Sequence, residues 1–504
     1  MSDALVAEAM RRVYDNFEGR LIVPHQTEAV RWLLRREFSE EKCGIYADDM
    51  GLGKTACMLG TCIGNPVGAP TLIVVPKSLV DQWASECARF TGIKPLVIRT
   101  AKVRKTLSRD VARVPFVITT YEALKVKDPN PLLEVHYGRL IMDEAHMVKN
   151  AKSIKSKCVL KVNAGIKWCV TGTPITRRKR DLIALMESVG VRSADYDMLR
   201  HTFVLRRTFE DAARVCERLR LPDLKLNLHI VPFASEAEKA MYIDLTDEAT
   251  QRIKAYAEGI RSEDNKAHHI VETIMRLRQC AVNPKLVCEG RDEPAWTGAV
   301  TKVNELVRLV SEQPKNSKTI IFTHWNTEAL DIKEALETRL GLTAVRLCGS
   351  MSQQARDAAV TSFTNDLTVN VLISHIDVGG VGLNLQAATH VYINSLHWNP
   401  ANELQAIARA HRLGVTHVVH ATRLAIRGTI DEFILNMHDI KLGYAADVLK
   451  DQRIRTKLNA FGMHDLKKIS HFLEHGLDRD DDADGVNETI ASDNDSDSDF
   501  EMTG

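Results

Sequence analysis

Residues 44–60 read GIYADDMGLGKTACMLG. A short apolar run enters a glycine-rich turn, and Lys54-Thr55 open a stretch of helical composition. No other feature of the chain restricts its fold as much. A strand, a tight turn and a helix in that order begin a βαβ unit, and such units build parallel sheets. Gly51 and Gly53 let backbone N–H groups turn toward an anion, and a helix N-terminus adds a favourable dipole. The strict phosphate-loop pattern is Gly, four residues, then Gly-Lys-Ser/Thr. Counting back from Gly53, the first Gly should sit at 48, where this chain has Asp. The groups that would grip a triphosphate remain. Lys54 would reach the β- and γ-phosphates and Thr55 would hold Mg²⁺. ATP and Mg²⁺ are therefore the expected cofactors.

Two stretches alternate short apolar runs with helix-like segments. The first, about 20–210, has TLIVVP (71–76), FVITT (116–120), RLIMDE (139–144) and KWCVTGTP (167–174). The second, about 300–435, has KTIIFT (318–323), TAVRLCG (343–349), NVLISH (370–375) and THVYINS (389–395). Continuous apolar strands separated by helices predict an α/β fold with parallel sheets buried on both faces. Between them the apolar spacing of three and four residues predicts helices. The expected divisions are a first lobe over 1–210, a helical linking region over 211–300, a second lobe over 301–435, a helical extension over 436–477 and an acidic, disordered tail over 478–504.

LIMDEAHMVKN places Asp143 and Glu144 directly after an apolar strand. A carboxylate there can hold Mg²⁺ through water, and its neighbour can orient the attacking water. In ARAHRLG, Arg409 and Arg412 stand three residues apart, on one helix face. Arginine stabilises charge that grows on a transferring phosphoryl group. Arginines delivered by a second lobe would couple hydrolysis to lobe movement.

Net charge is +1 overall, but the tail Asp478–Gly504 carries eleven acids and one Arg. The body is thus about +11, a balance suited to a polyanionic partner. The ten cysteines form no C-x-x-C pair, which argues against structural zinc and a disulfide framework. No run is long enough for a membrane span and the N-terminus lacks a signal-type core, so a cytosolic or nuclear protein is expected.

Taken in order, these motifs resemble the SNF2-type ATPases of helicase superfamily 2. LIVPHQTEAVRWLL is similar to the entry motif of that family, which implies Gln26 toward the adenine and Trp32 packed behind it. ADDMGLGKT is similar to its phosphate loop, in which Asp replaces the first Gly, so Asp48, Asp49, Met50, Gly51, Leu52 and Gly53 join Lys54 and Thr55 in the implied nucleotide site. LIVVPKSLVDQWASE, VITTYEAL, DEAH and TGTP follow as they do in the family. FVLRRTFED, Leu221-Pro222 and LRQCAVNPKLV resemble its linking region. KTIIFTHWNTEALDIKEAL, GGVGLNLQAA, HWNPANELQAIARAHRLG and GTIDEFI resemble its second lobe. The resemblance implies two RecA-like lobes, Gln405 near the γ-phosphate beside Arg409 and Arg412, and a motor on double-stranded DNA. TGTPITRRKRDL lacks the usual Gln-Asn, and Val415 stands where the family has Gln. The length and the lack of accessory domains most resemble the global transactivators of baculoviruses. Location in the nucleus, the host's if viral, and work on protein–DNA complexes or transcription follow as expectations.

For the duplex the candidates are Lys77, Ser78, Thr119, Thr120 and Tyr121 in the first lobe. By resemblance the second lobe adds Thr323, Trp325, Asn384 and Trp398. Groups of this kind position a backbone without reading bases. Trp398 has an equal claim to simple packing. The run TRRKRDL (176–182) fits a DNA contact, an import signal or a solvated loop. The tail, with Ser492, Ser496 and Ser498 among acids, fits either a repulsive or partner-binding arm or a solubilising one. Strand separation, and an ATP-gated transcription regulator without motor activity, stand as alternatives to translocation. A monomer is expected, with transcription or chromatin proteins as further partners.

Overall fold

The computed structural model describes residues 2–17, 24–99, 110–125, 130–148, 153–172, 179–193, 195–216, 219–257, 267–291, 294–379, 385–412 and 414–438. Asn384, the basic run through Arg178, and everything after 438, the acidic tail included, lie outside the described residues.

The first sheet holds β1 (Cys43–Tyr46), β2 (Thr71–Val75), β3 (Leu96–Ile98), β4 (Phe116–Thr120), β5 (Tyr137–Asp143), β6 (Ala164–Val170) and β7 (Val204–Leu205). Their order is β3-β4-β2-β5-β6-β1-β7, with every pairing parallel. β2 and β4 are buried at every position, as continuous β-branched runs require when helices cover both faces. One face packs on Leu72, Val74, Leu140 and Met142, and the other on Ile73, Val75, Ile118 and Ile141. The helix Ser2–Asn16 closes the second face with Val6, Ala9, Met10 and Val13 at helical spacing.

The second sheet holds β8 (Leu224–Val231), β9 (Thr319–Thr323), β10 (Thr343–Leu347), β11 (Val369–His375), β12 (His390–Ile393) and β13 (Val419–Ile426). The order is β10-β11-β9-β12-β13-β8, again all parallel. β8 falls in the stretch read as wholly helical and corrects that reading. It pairs with β13 along eight residues and forms the edge of the second sheet. The long helices Glu236–Ala257 and Ala267–Val282 share one core with this sheet, through Tyr242, Leu245, Ile274 and Leu277 against Ile320, Val391 and Val419. They are built onto the second lobe.

Ligands of open parallel sheets bind beyond the carboxyl ends of the strands. In the first sheet β5, β6 and β1 are neighbours, and Asp143, Val170 and Tyr46 stand in one row across them. The register therefore brings the Asp143-Glu144 pair, Thr171-Gly172 and the phosphate loop to a single edge.

Candidate active site

The loop leaves β1 and turns into the helix Lys54–Gly64 through Gly51 (φ 94°) and Gly53 (φ 84°). Side chains disfavour this left-handed region, which explains both glycines. A Cβ at Gly53 would lie 2.3 Å from Gln26 Nε2. Gln26 Nε2 donates to the Leu52 carbonyl at 3.3 Å, and His25 Nε2 donates to the same oxygen at 3.0 Å. The Gln26 side chain thus braces the loop from behind. Lys54 Nζ lies over the loop and donates to the carbonyls of Asp48 (2.7 Å) and Asp49 (3.1 Å). Burial lowers its ammonium below the ordinary lysine value, against the pull of Glu144, Asp143, Asp48 and Asp49.

Asp48 turns away from this cradle. Its buried carboxylate accepts from Arg207 Nη2 (2.5 Å), Nε (3.2 Å) and backbone N (2.9 Å). Arg207 also donates to the His25 carbonyl at 2.6 Å. Asp49 meets Arg206 at 3.4 Å and accepts from the Phe209 N–H at 3.3 Å. The residue in the place of the first glycine is an anchor for the segment after β7, and its side chain faces that segment rather than the phosphate cradle.

Asp143 ends β5. One carboxylate oxygen accepts from Trp83 Nε1 at 2.6 Å and the other from the Glu144 N–H at 2.9 Å. Tyr121 donates to the Asp143 carbonyl at 2.7 Å. Burial, then the charge of Glu144, pushes the Asp143 carboxyl up to about 6, while the Trp83 hydrogen bond pulls it down. Glu144 has φ 48°, a strained conformation for a residue with a side chain, of the kind that collects at active sites. Burial raises its carboxyl, but His146 at 3.1 Å, Lys54 and Arg409 outweigh that and hold it below the ordinary value.

The second lobe meets these groups directly. Gln405 Nε2, on the helix Pro400–Ile407, donates to Glu144 Oε1 at 3.2 Å. The recess between the lobes is lined by Met50, Glu144, His146, Gly172, Asn399, Asn402 and Gln405, with Ala401. It holds about 250 Å³ including its open mouth. Gly172 is tight against it, since a Cβ there would lie 2.8 Å from Met50 Cγ and 3.5 Å from Lys54 Nζ. Arg409 feels Glu144 and Asp143. Burial and the neighbouring Arg412 lower its guanidinium to about 10, which leaves it charged at neutral pH. Arg412 in turn lies near enough to Glu86 of the first lobe to oppose the rise that burial imposes on that carboxyl.

Lys77 and Ser78 are exposed at the start of the helical turn after β2. Thr119, Thr120 and Tyr121 are not, at 0%, 1% and 1% exposed. Thr120 caps the short helix Tyr121–Leu124 and Thr119 donates to the Ile98 carbonyl, so a duplex has no access to these three side chains. Thr323 is buried too and donates to the Ser374 carbonyl at 3.5 Å. Trp398 and Trp325 lie 5.2 and 5.4 Å from the Arg278 guanidinium, and Trp398 packs on the second core, which accounts for its position by packing. Trp32 lies 5.9 Å from Trp168 in the first core. Sequence reasoning gave no role to Arg206, Arg207, Trp83 or His146, although each sits inside a quoted motif. Their partners become visible only in the fold.

With this geometry in hand, family models match two parts of the chain. Residues 25–286 match the SNF2-related domain and residues 301–414 the helicase conserved C-terminal domain. The chain belongs to the SNF2-related family. It is an ATP hydrolase of that family, with the phosphate loop and the Asp143-Glu144 pair in the first matched region and the two arginines in the second. A probable global transactivator of Orgyia pseudotsugata multicapsid polyhedrosis virus is 28% identical over 488 residues, 89% of this chain and 94% of the relative. The chromodomain-helicase-DNA-binding protein 1-like of Danio rerio is 28% identical over 90% of this chain, and the putative ATP-dependent helicase/translocase YwqA of Bacillus subtilis 27% over 91%. The SNF2-family chain described here spans nearly all of the viral relative but only 46% and 52% of the other two. The SWI2/SNF2 ATPase core of Sulfolobus solfataricus, solved with double-stranded DNA, is 23% identical over 88% of this chain and 98% of its own, with a TM-score of 0.39.

Proposed function

We propose that this SNF2-family ATPase is a Mg²⁺-dependent motor that moves on duplex DNA and displaces or rearranges the proteins bound there, in support of transcription. The observation that carries the reading is the Gln405–Glu144 hydrogen bond across the recess. A residue placed to activate water in one lobe is held by a residue of the other, so turnover and lobe spacing are linked.

The chain supplies the following parts. Backbone N–H groups of the loop and the first turn of Lys54–Gly64 receive the phosphates. Lys54 exchanges its two loop carbonyls for phosphate oxygens. Thr55 and Asp143 are oxygen donors of the kind that suit Mg²⁺. They would hold the ion, which would supply positive charge to the phosphates. Glu144, held ionised by His146, Lys54 and Arg409, accepts hydrogen bonds from the attacking water. Arg409 and Arg412 stabilise the charge that develops as the bond breaks.

DNA as the track is supported by the name of the Danio rerio relative, by the basic body and by exposed Lys77 and Ser78. Backbone contacts of this type make binding largely independent of sequence and steeply dependent on salt. The kinship with a viral transactivator supports work on transcription, in the nucleus and among transcription or chromatin proteins; the reading takes the chain as a monomer. The test is ATP hydrolysis with no nucleic acid, duplex DNA, single-stranded DNA and RNA, with Lys54→Ala as the blank. Stimulation chiefly by duplex is expected. Stimulation chiefly by single strands would favour a strand-separating helicase, and no turnover above the blank would favour a regulator that only binds ATP.

A further inference from the structure

The helix Val80–Thr91 packs its Trp83 against the first core, where the ring is 1% exposed beside Val80, Cys87 and Ile118. A buried indole needs an acceptor for its one N–H. Here the acceptor is a carboxylate oxygen of Asp143, 60 positions along the chain, at 2.6 Å. The other carboxylate oxygen takes the Glu144 N–H, and the Tyr121 hydroxyl fixes the Asp143 carbonyl. The side chain is thus held from two directions and its main chain from a third. Each carboxylate oxygen has two acceptor sites and spends one, so the group is oriented without being saturated.

We propose that Trp83 is a positioning residue for ATP hydrolysis: its indole N–H sets the orientation in which Asp143 meets the metal–nucleotide complex. The proposal rests on Asp143 as the Mg²⁺-holding carboxylate. Groups that orient a ligand from behind are worth about 10–100-fold in metal affinity or activity. Trp83 differs from a core tryptophan with an incidental partner in one respect: removing the N–H while keeping the bicyclic shape must matter.

The experiment compares the full chain, Trp83→Phe, Asp143→Asn, and a protein with 3-benzothienylalanine inserted at position 83, which keeps the ring system and lacks the N–H. Mn²⁺ affinity is measured by electron paramagnetic resonance with a non-hydrolysable ATP analogue. Turnover is measured alongside, with kcat and KM for ATP separated and thermal midpoints recorded. The expected result is Mn²⁺ affinity about tenfold weaker in both position-83 proteins, with kcat lowered, KM for the metal–ATP complex raised in step and binding of metal-free ATP nearly unchanged. The benzothienyl protein matching the parent in Mn²⁺ affinity and kcat would overturn the proposal, whatever Trp83→Phe does to the thermal midpoint. Unchanged Mn²⁺ affinity in Asp143→Asn would instead overturn the metal role of Asp143, and the proposal with it.

Discussion

Asp48→Gly would restore the strict phosphate-loop spacing, yet it is expected to damage the protein. The change removes the three acceptor contacts that hold Arg207 and leaves a largely buried guanidinium without its carboxylate. Breaking a buried pair from one side costs about 3–5 kcal/mol. A denaturant midpoint should fall accordingly, and ATP turnover with it. Glu144→Gln should behave differently. The amide keeps the size and the Gln405 contact but cannot take up a proton, so nucleotide binding should persist while phosphate release falls by about 10²–10⁴-fold. Equilibrium binding of ATP together with a phosphate-release assay checks both halves. Lys54 finds its partners within its own loop, close in sequence. The pairing of the Asp48 side chain with Arg207, 159 positions away, was not legible in the sequence, and Trp83 was unassigned for a similar reason.

β8 was missed although LKLNLHIV alternates with period two, because helical patterns flank it and its solvent-facing residues break the apolar run. β13 was missed likewise, with His420, Thr422 and Arg423 between its buried positions. Strands with polar residues between their apolar ones escape a search for continuous apolar runs. The second lobe also carries a pH liability. Burial, with neighbouring cations, lowers His324 after β9 to about 3, and burial with His420 lowers His390 on β12 to about 4. Both rings are neutral in the fold at pH 7. The unfolded chain would take up protons from about pH 6.5 downward, so stability is full above that value and declines as pH falls toward 4. Thermal midpoints between pH 7.5 and 4.5 should show that decline. His390→Gln, which relieves the stack on His420 at 5.1 Å, should flatten it.

Among the described residues the two lobes meet at the recess and where Arg412 nears Glu86, and a strap joins them. Gln405→Glu would set a second carboxylate opposite Glu144, 3.2 Å from where the amide now donates. Like charges at that distance repel, so the lobes should part. Small-angle scattering should report a larger radius of gyration, and turnover should drop at least about tenfold, since the arginines would no longer reach. Both sheets and the facing motifs were readable in the sequence, but the hand-to-hand contact between Glu144 and Gln405 was not, because spacing says nothing about how two rigid bodies abut. Among the described residues the chain passes from the first sheet to the second only once, between Leu205 and Leu224. That strap starts with Arg206 and Arg207 on the two loop aspartates, and its Ala212 and Leu219 pack on Leu52 of the same loop. A displacement of the second lobe would therefore bear directly on the loop that carries Lys54. Strain between the lobes should in turn register as altered nucleotide affinity.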